Sequence, residues 1–199
     1  MKRTLLSFLA FLLVSTSLEI KAVAYNSDPQ QFISEIIDEA KVILSSGHSQ
    51  EIKAEKLSEI ALKTVDIKGV AFYSLGKYRK SLNDEQLKEY LTLFEKYFLK
   101  SFTSRLTDYS DPKIDVLSTE VLNEKYTIVK SLLQATDKRP EVKIEWRIYT
   151  KNPEKPLIRD LIIEGLKLAR TQKEEFTSII QSNDENINAL LIKLRDFTN

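Results

Sequence analysis

The sequence predicts an α+β domain with N-terminal helices, a four-stranded antiparallel curled sheet and C-terminal helices. Apolar residues recur every three or four positions up to about residue 107, which is the period of amphipathic helices. Beyond Asp111-Pro112 the period approaches two, which is typical of strands, and it becomes helical again after residue 167. We therefore expect helices to wrap one continuous sheet.

Residues 1–24 have the pattern of a signal peptide. Two basic residues precede an apolar run over Leu5–Leu18, and Ala22-Val23-Ala24 provides the small residues that a signal peptidase recognises. The run is about 15 residues long, short of the roughly 20 that a membrane-spanning helix needs. We therefore predict cleavage after Ala24, export, and a single domain over residues 25–199.

The charge of the mature chain is nearly balanced. Residues 1–24 contain three of the 30 basic residues and one of the 29 acidic residues, so 27 basic and 28 acidic residues remain. This balance gives no support to bulk nucleic-acid binding. The chain has no cysteine, which excludes disulfide bonds and the attachment of a lipid to cysteine.

The N-terminal half is predicted to contain four helices. The first spans Gln30–Leu44, the second covers about residues 49–65, and a short third ends before Gly76. The fourth and longest is capped by Asn83 and runs to about Thr107. Its aromatic stripe, which is either core or the lining of a cavity, consists of Tyr90, Phe94, Phe98 and Phe102.

Four strands follow, with short connections that favour antiparallel neighbours. They span Lys113–Leu122, Lys125–Gln134, Glu141–Thr150 and Leu157–Ile163. The fourth strand is apolar on both faces, so both faces need a cover. Strict alternation divides its apolar residues into two sets, Leu157, Leu161 and Ile163 on one face and Ile158 and Ile162 on the other. Two helices close the chain near Lys167–Gln181 and Asp184–Asp196, the second capped by Asn183.

The sequence offers no catalytic or metal-binding constellation, and we predict that the protein is not an enzyme. The only histidine, His48, lies in a polar stretch where we expect a solvated loop. Without cysteine, neither a zinc set nor a Cys-His pair can form, and no glycine-rich phosphate loop is present. Asp160 and Glu164 would lie roughly 13 Å apart on one strand face, too far for a glycosidase pair. We expect Asp160 to pair with a Lys or Arg of the neighbouring strand.

The segment Lys77-Tyr78-Arg79-Lys80 interleaves basic residues with an aromatic residue. Nucleic acid is a poor interpretation of this pattern in an exported protein. Two interpretations stay open: a solvated loop with a packed tyrosine, or a docking or headgroup contact, since Arg and Lys suit phosphate.

Two blocks of the chain carry motifs at characteristic spacing. The first block, over Val65–Tyr109, includes Val65-Asp66, Leu75-Gly76 and Tyr78-Arg79. The second, over Ile158–Leu191, includes Ile158-x-Asp160, Ile163-Glu164-Gly165, Leu168 and Phe176. With these motifs the chain resembles the MlaC family, also called toluene-tolerance proteins, which are periplasmic phospholipid carriers of Gram-negative bacteria.

The resemblance implies a protein that holds the acyl chains of a phospholipid in an apolar cavity between sheet and helices. It further implies a periplasmic shuttle between an inner-membrane MCE-domain complex, part of an ABC transporter, and an outer-membrane lipoprotein complex, which serves outer-membrane lipid asymmetry. The phospholipid would be cargo, no cofactor or metal is expected, and we expect a monomer. The residues that we expect to line the cavity are Leu75, Tyr78, Phe94, Phe98, Phe102, Val142, Ile144, Trp146, Ile148, Ile158 and Ile162.

A second hypothesis, from another class of protein, also stays open. The chain could be a periplasmic protein-interaction module whose core is filled by its own side chains and holds no lipid. Replacing Ile144 or Phe98 with a larger side chain separates the two, because a filled core resists added bulk.

Overall fold

The computed structural model describes residues 25–199, so the predicted signal peptide lies outside the described residues. Six α-helices and five strands are present in this part of the chain, with a 3-10 helix at Gly76–Lys80. The helices are α1 (Pro29–Leu44), α2 (Gln50–Thr64), α3 (Ile67–Leu75), α4 (Asp84–Leu106), α5 (Leu168–Gln181) and α6 (Ile187–Thr198). The strands are β1 (Ile114–Asn123), β2 (Tyr126–Leu133), β3 (Val142–Tyr149), β4 (Leu157–Ile163) and β5 (Leu166–Lys167). None of these helices is long and apolar enough to cross a membrane.

Helix caps account for where most helices begin. Asn83 caps α4 as predicted, and Gln86 completes a capping box by accepting a hydrogen bond from the Asn83 backbone N–H. The predicted cap of the last helix is wrong, since Asn186 and not Asn183 accepts the hydrogen bond at its start. The reason is the turn before it, where Asp184 and Glu185 both adopt positive φ and delay the helix.

The sheet is an antiparallel meander in the order β1-β2-β3-β4-β5. The α+β prediction is confirmed, but the predicted count of four strands is wrong by one. The fifth strand is only two residues long and follows a two-residue turn at Glu164-Gly165, with φ of 49° and 81°. Positive φ at both positions is the geometry of a type I′ hairpin turn. The helix predicted near Lys167–Gln181 overlaps the second strand of this hairpin, so the hairpin was not expected.

A bulge in β4 overturns the strict alternation predicted for this strand. Ile148 lies opposite Ile158 and Arg147 lies opposite Asp160, which leaves Arg159 as an extra residue. Opposite residues of antiparallel strands share a face. Ile158 therefore joins Leu161 and Ile163 on one face, whereas Leu157 and Ile162 lie on the other.

Two separate clusters of buried side chains form the interior. The helical cluster joins α3, α4, α5 and α6, and Tyr90, Phe94 and Phe176 contact one another at its centre. The sheet cluster joins α1 and α2 to the face of the sheet that carries Val129 and Ile148. We call this face the inner face and the opposite one the outer face.

The connection between α2 and α3 covers part of the free edge of β4. Val65 pairs with Ile158 as an isolated parallel bridge, and the Asp66 backbone N–H donates to the Ile158 carbonyl at 2.9 Å. The bulged Arg159 donates from Nε to the Asp66 carboxylate at 2.6 Å and from Nη1 to the Tyr126 hydroxyl at 3.0 Å. The bulge therefore joins the start of α3 to the sheet.

Candidate functional site

The inner face of the sheet is sealed at one end and open at the other. At the sealed end Val129, Ile148 and Ile158 are at most 5% exposed, because α1 and α2 pack on them. At the open end the apolar cross-strand neighbours are only half-buried, and the one polar residue among them, Ser131, is buried between Val116 and Ile144. The apolar neighbours are Ile114, Leu133 and Val142 in one row and Val116, Ile144 and Ile163 in the next row.

Trp146 lies on the inner face between the two ends. Its indole Nε1 donates a hydrogen bond to the Ser131 hydroxyl at 2.8 Å, and Ser131 is buried. Leu161 lies opposite Trp146 on β4 and is half-buried as well. Because the one polar group of the indole is satisfied within the sheet, the ring can present hydrocarbon to whatever covers this face.

The aromatic stripe of α4 extends from the helical cluster towards the sheet cluster. Phe94 is buried among helices, whereas Phe98 and Phe102 are half-buried and stack on each other with centroids 5.9 Å apart. One turn further, Leu106 packs against the sheet cluster. The stripe is therefore core at its start, as the sequence suggested, and incompletely covered from Phe98 to Phe102.

The structure divides the predicted lining residues among three places. The helical cluster takes Leu75, Tyr78, Phe94 and Phe98, the last at its margin. The inner face of the sheet carries Val142, Ile144, Trp146, Ile148 and Ile158. Phe102 lies one turn after Phe98 on α4. Ile162 lies on the outer face, opposite Glu145, so the prediction that it shares a face with Ile158 is wrong because of the bulge.

Sequence reasoning missed several residues of the inner face. Ile114, Val116, Leu133, Leu161 and Ile163 share the inner face with Ile144, which only the register of the meander shows. Leu133 was recognisable from the sequence, because the hairpin of β2 and β3 pairs it with Val142, which was already expected to line the cavity. Leu161 and Ile163 were not recognisable in this way, because the bulge changes which residues of β4 share a face with Ile158.

Two clefts stand out in the part of the chain that the structure describes, and polar or charged side chains line both of them. One, of about 560 Å³, lies between α3 and α5 and is lined by Tyr73, Arg170, Lys173, Glu174, Thr177, Ser178 and Gln181. The other, of about 390 Å³, is lined by Tyr25, Glu35, Glu39 and Lys63. Neither is the enclosed apolar cavity of the prediction. The apolar surface that stands out for a ligand is the open end of the inner face.

Titratable groups near the sheet have structural partners. Burial raises the pKa of Asp160, while a hydrogen bond from the Ala169 backbone N–H at 2.9 Å and the charge of Arg147 act in the opposite direction. Arg147 lies directly opposite Asp160, but within residues 25–199 no Lys or Arg nitrogen lies within 4.0 Å of the Asp160 carboxylate, so the predicted ion pair is not formed. Residues 25–199 contain no group of three or more His, Asp or Glu side chains that could hold a metal ion.

The comparisons with known proteins agree with this architecture. The family model described as MlaC protein matches residues 31–196. A solved phospholipid-binding protein from Ralstonia solanacearum, in complex with a phospholipid, superposes with a TM-score of 0.72 at 15% identity, over 87% of this chain and 97% of that one. Comparison with curated proteins yields no match. Since the family model spans most of its length, the chain belongs to the MlaC family.

Proposed function

We propose that the mature protein is a phospholipid carrier that holds acyl chains against the open end of the inner face. The observation that carries this proposal is the set of apolar residues there, which remain half-buried although the pleat turns them towards the helices. Apolar grooves with few polar groups are typical sites for such ligands. Membership of the MlaC family and the phospholipid bound to the Ralstonia solanacearum protein support the choice of ligand.

The energetics require a surface of this kind and no reactive group. At about 0.8 kcal/mol per methylene, an acyl chain of roughly 15 methylenes represents on the order of 12 kcal/mol of transfer from a membrane to water. A carrier offsets this penalty by covering the chain with hydrocarbon side chains. Binding and release then suffice, and we propose a non-catalytic role with the lipid as cargo.

We further propose that the carrier works in the periplasm between two membrane-bound partners. These would be an inner-membrane complex with MCE domains, belonging to an ABC transporter, and an outer-membrane lipoprotein complex. Family membership and the signal-peptide pattern of residues 1–24 support this proposal. Expression of the full chain tests the export step: we expect a periplasmic product whose intact mass corresponds to cleavage after Ala24.

The ligand is tested on the mature protein, residues 25–199. We expect native mass spectrometry and solvent extraction to show a copurifying phospholipid, and the stripped protein to take lipid from vesicles. A protein that is free of lipid and also cannot acquire it would contradict the proposal. The mass of the ligand would also identify its headgroup and the number of acyl chains.

One observation favours the second candidate, an interaction module without lipid. Neither of the two clefts described above is an enclosed apolar cavity, which agrees with a chain that fills its own core. The substitution Ile144→Trp separates the two candidates. In a filled core it should cost about 1 to 3 kcal/mol of unfolding free energy. In an open groove it should leave stability nearly unchanged and abolish lipid binding.

Leu132→Trp is the matched control for this substitution. Leu132 is also half-buried on a central strand but lies on the outer face, opposite Lys143. We expect this variant to keep its lipid. Loss of lipid from both variants would contradict the assignment of the acyl chains to the inner face.

A further inference from the structure

The segment from α3 through the 3-10 helix carries positive charge without compensation in its own sequence. Ile67–Lys80 contains Lys68, Lys77, Arg79 and Lys80 and no carboxylate, in a mature chain with 27 basic and 28 acidic residues. By contrast, α1 carries three carboxylates and one lysine. The segment Ile67–Lys80 is therefore basic and α1 is acidic, a difference that the nearly balanced net charge of the chain does not reveal.

Aromatic rings hold several of these cations at the surface. The Arg79 guanidinium lies 3.9 Å from the centroid of the Phe72 ring, and the Lys68 ammonium lies 5.9 Å from it. Phe72 is only half-buried. Cations placed over a ring in this way keep their charge accessible while their side chains are held in place.

A second group of cations continues this surface onto α5. Lys173 lies 5.4 Å from the centroid of Tyr73, which is 49% exposed. Lys173, Arg170 and Tyr73 line the cleft of about 560 Å³ between α3 and α5. We call the surface formed by Lys68, Lys77, Arg79, Lys80, Arg170 and Lys173 the basic face.

Internal ion pairs neutralise only part of the basic face. Lys77 pairs with Glu185 at 3.5 Å and Arg170 pairs with Glu174 at 2.8 Å. Within residues 25–199, no carboxylate lies within 4.0 Å of the cationic groups of Lys68, Arg79, Lys80 or Lys173. Four cations therefore remain for an external anionic partner.

We propose that the basic face docks on the surface of a bilayer that contains anionic phospholipid. Several lysines and arginines close together are the pattern that anionic lipid surfaces attract, and half-exposed Tyr and Phe rings suit the headgroup region. The carboxylates of α1 would be repelled by such a surface and help to orient the molecule. This docking rests on the proposed carrier function but uses α3 and α5, not the inner face of the sheet.

Flotation with lipid vesicles tests the docking. We expect the mature protein to float with vesicles of phosphatidylcholine containing phosphatidylglycerol at about 0.05 M salt, and to lose this binding at about 0.5 M salt. Vesicles of phosphatidylcholine alone should not bind it. Equal binding to both compositions, or no binding to the anionic vesicles at low salt, would overturn the proposal.

Charge reversal locates the surface. We expect Lys68→Glu/Arg79→Glu/Lys173→Glu to weaken partitioning about 100-fold or more, since each basic residue near an anionic surface contributes a factor of roughly five. The matched control, Lys56→Glu/Lys96→Glu/Lys193→Glu, changes three exposed lysines elsewhere and should bind more strongly than the first variant by at least about tenfold. Equal loss in the two variants would overturn the assignment to the basic face.

Measuring cargo separates this docking from the carrier function. The charge-reversed variant should retain the phospholipid that copurifies with the parent protein, with an unchanged circular dichroism spectrum. If the parent protein carries no lipid and takes up none, the carrier function fails, whatever the vesicles show. If the variant retains cargo and still floats as the parent does, only the docking proposal fails.

Discussion

Gly69 stands in the first turn of α3, where a side chain has no room. A Cβ at this position would lie 2.3 Å from the Asp66 carboxylate, which caps the helix by accepting from the Gly69 backbone N–H at 2.9 Å. We expect Gly69→Ala to lower the free energy of unfolding by about 1 to 2 kcal/mol in urea denaturation, because the cap is displaced. Gly47→Ala is the control, since its Cβ would meet nothing within 4 Å. A Gly69→Ala protein as stable as this control would contradict the argument.

Asp160 combines a favourable hydrogen bond with an unfavourable buried charge. Asp160→Ala removes the acceptor of the Ala169 N–H and should cost about 1 kcal/mol. Asp160→Asn keeps an acceptor without a charge, and should be at least as stable as the parent protein at neutral pH.

The pH dependence of that comparison follows from the raised pKa of Asp160. A raised folded pKa contributes stability at low pH that is lost as the pH rises through the folded pKa. The advantage of Asp160→Asn over the parent protein should therefore shrink as the pH falls through the raised folded pKa, and it should be lost below about pH 4. Chemical denaturation at several pH values measures it, and an advantage that grows in acid would contradict the assignment.

At the scale of elements, the Arg159–Asp66 contact couples two parts of the fold. Arg159 also lies 3.7 Å from the centroid of the Tyr149 ring, so its orientation is fixed from several sides. In a double-mutant cycle with Arg159→Gln and Asp66→Asn, we expect a coupling energy of about 1 kcal/mol. Asn retains the helix cap, so the cycle reports the ion pair. Additive effects would show that the contact contributes little.

The elements differ in how well the sequence predicted them. The predicted α4 was confirmed nearly residue for residue, because a cap, a period and a following Asp-Pro all specify it locally. The hairpin at Glu164-Gly165 and the bulge at Arg159 were missed. Both depend on how β4 pairs with its neighbouring strands. Neither a two-residue strand nor one bulged residue requires a particular amino-acid composition, so neither could be recognised from the sequence.

At the scale of the whole molecule, bound lipid should stabilise the folded state. A ligand that binds only the folded chain adds stability that increases with its concentration relative to its Kd. We expect removal of lipid to lower the Tm of the parent protein by several degrees, roughly 2 to 4 °C for each kcal/mol lost. The Ile144→Trp variant should show no such change. An unchanged Tm in the parent protein would argue for a filled core.

The sequence by itself determined the class of fold, the helices and strands with local signals, and the family. These follow from periodicity, caps and short motifs, which act between residues close along the chain. Tertiary structure alone decided which apolar residues share the inner face, and it left Ile144 and Phe102 half-buried while Ile148 and Phe94 became core. All four fit the same apolar pattern in sequence. Their burial differs because it depends on which helix packs over each strand, and that is set by contacts between distant parts of the chain.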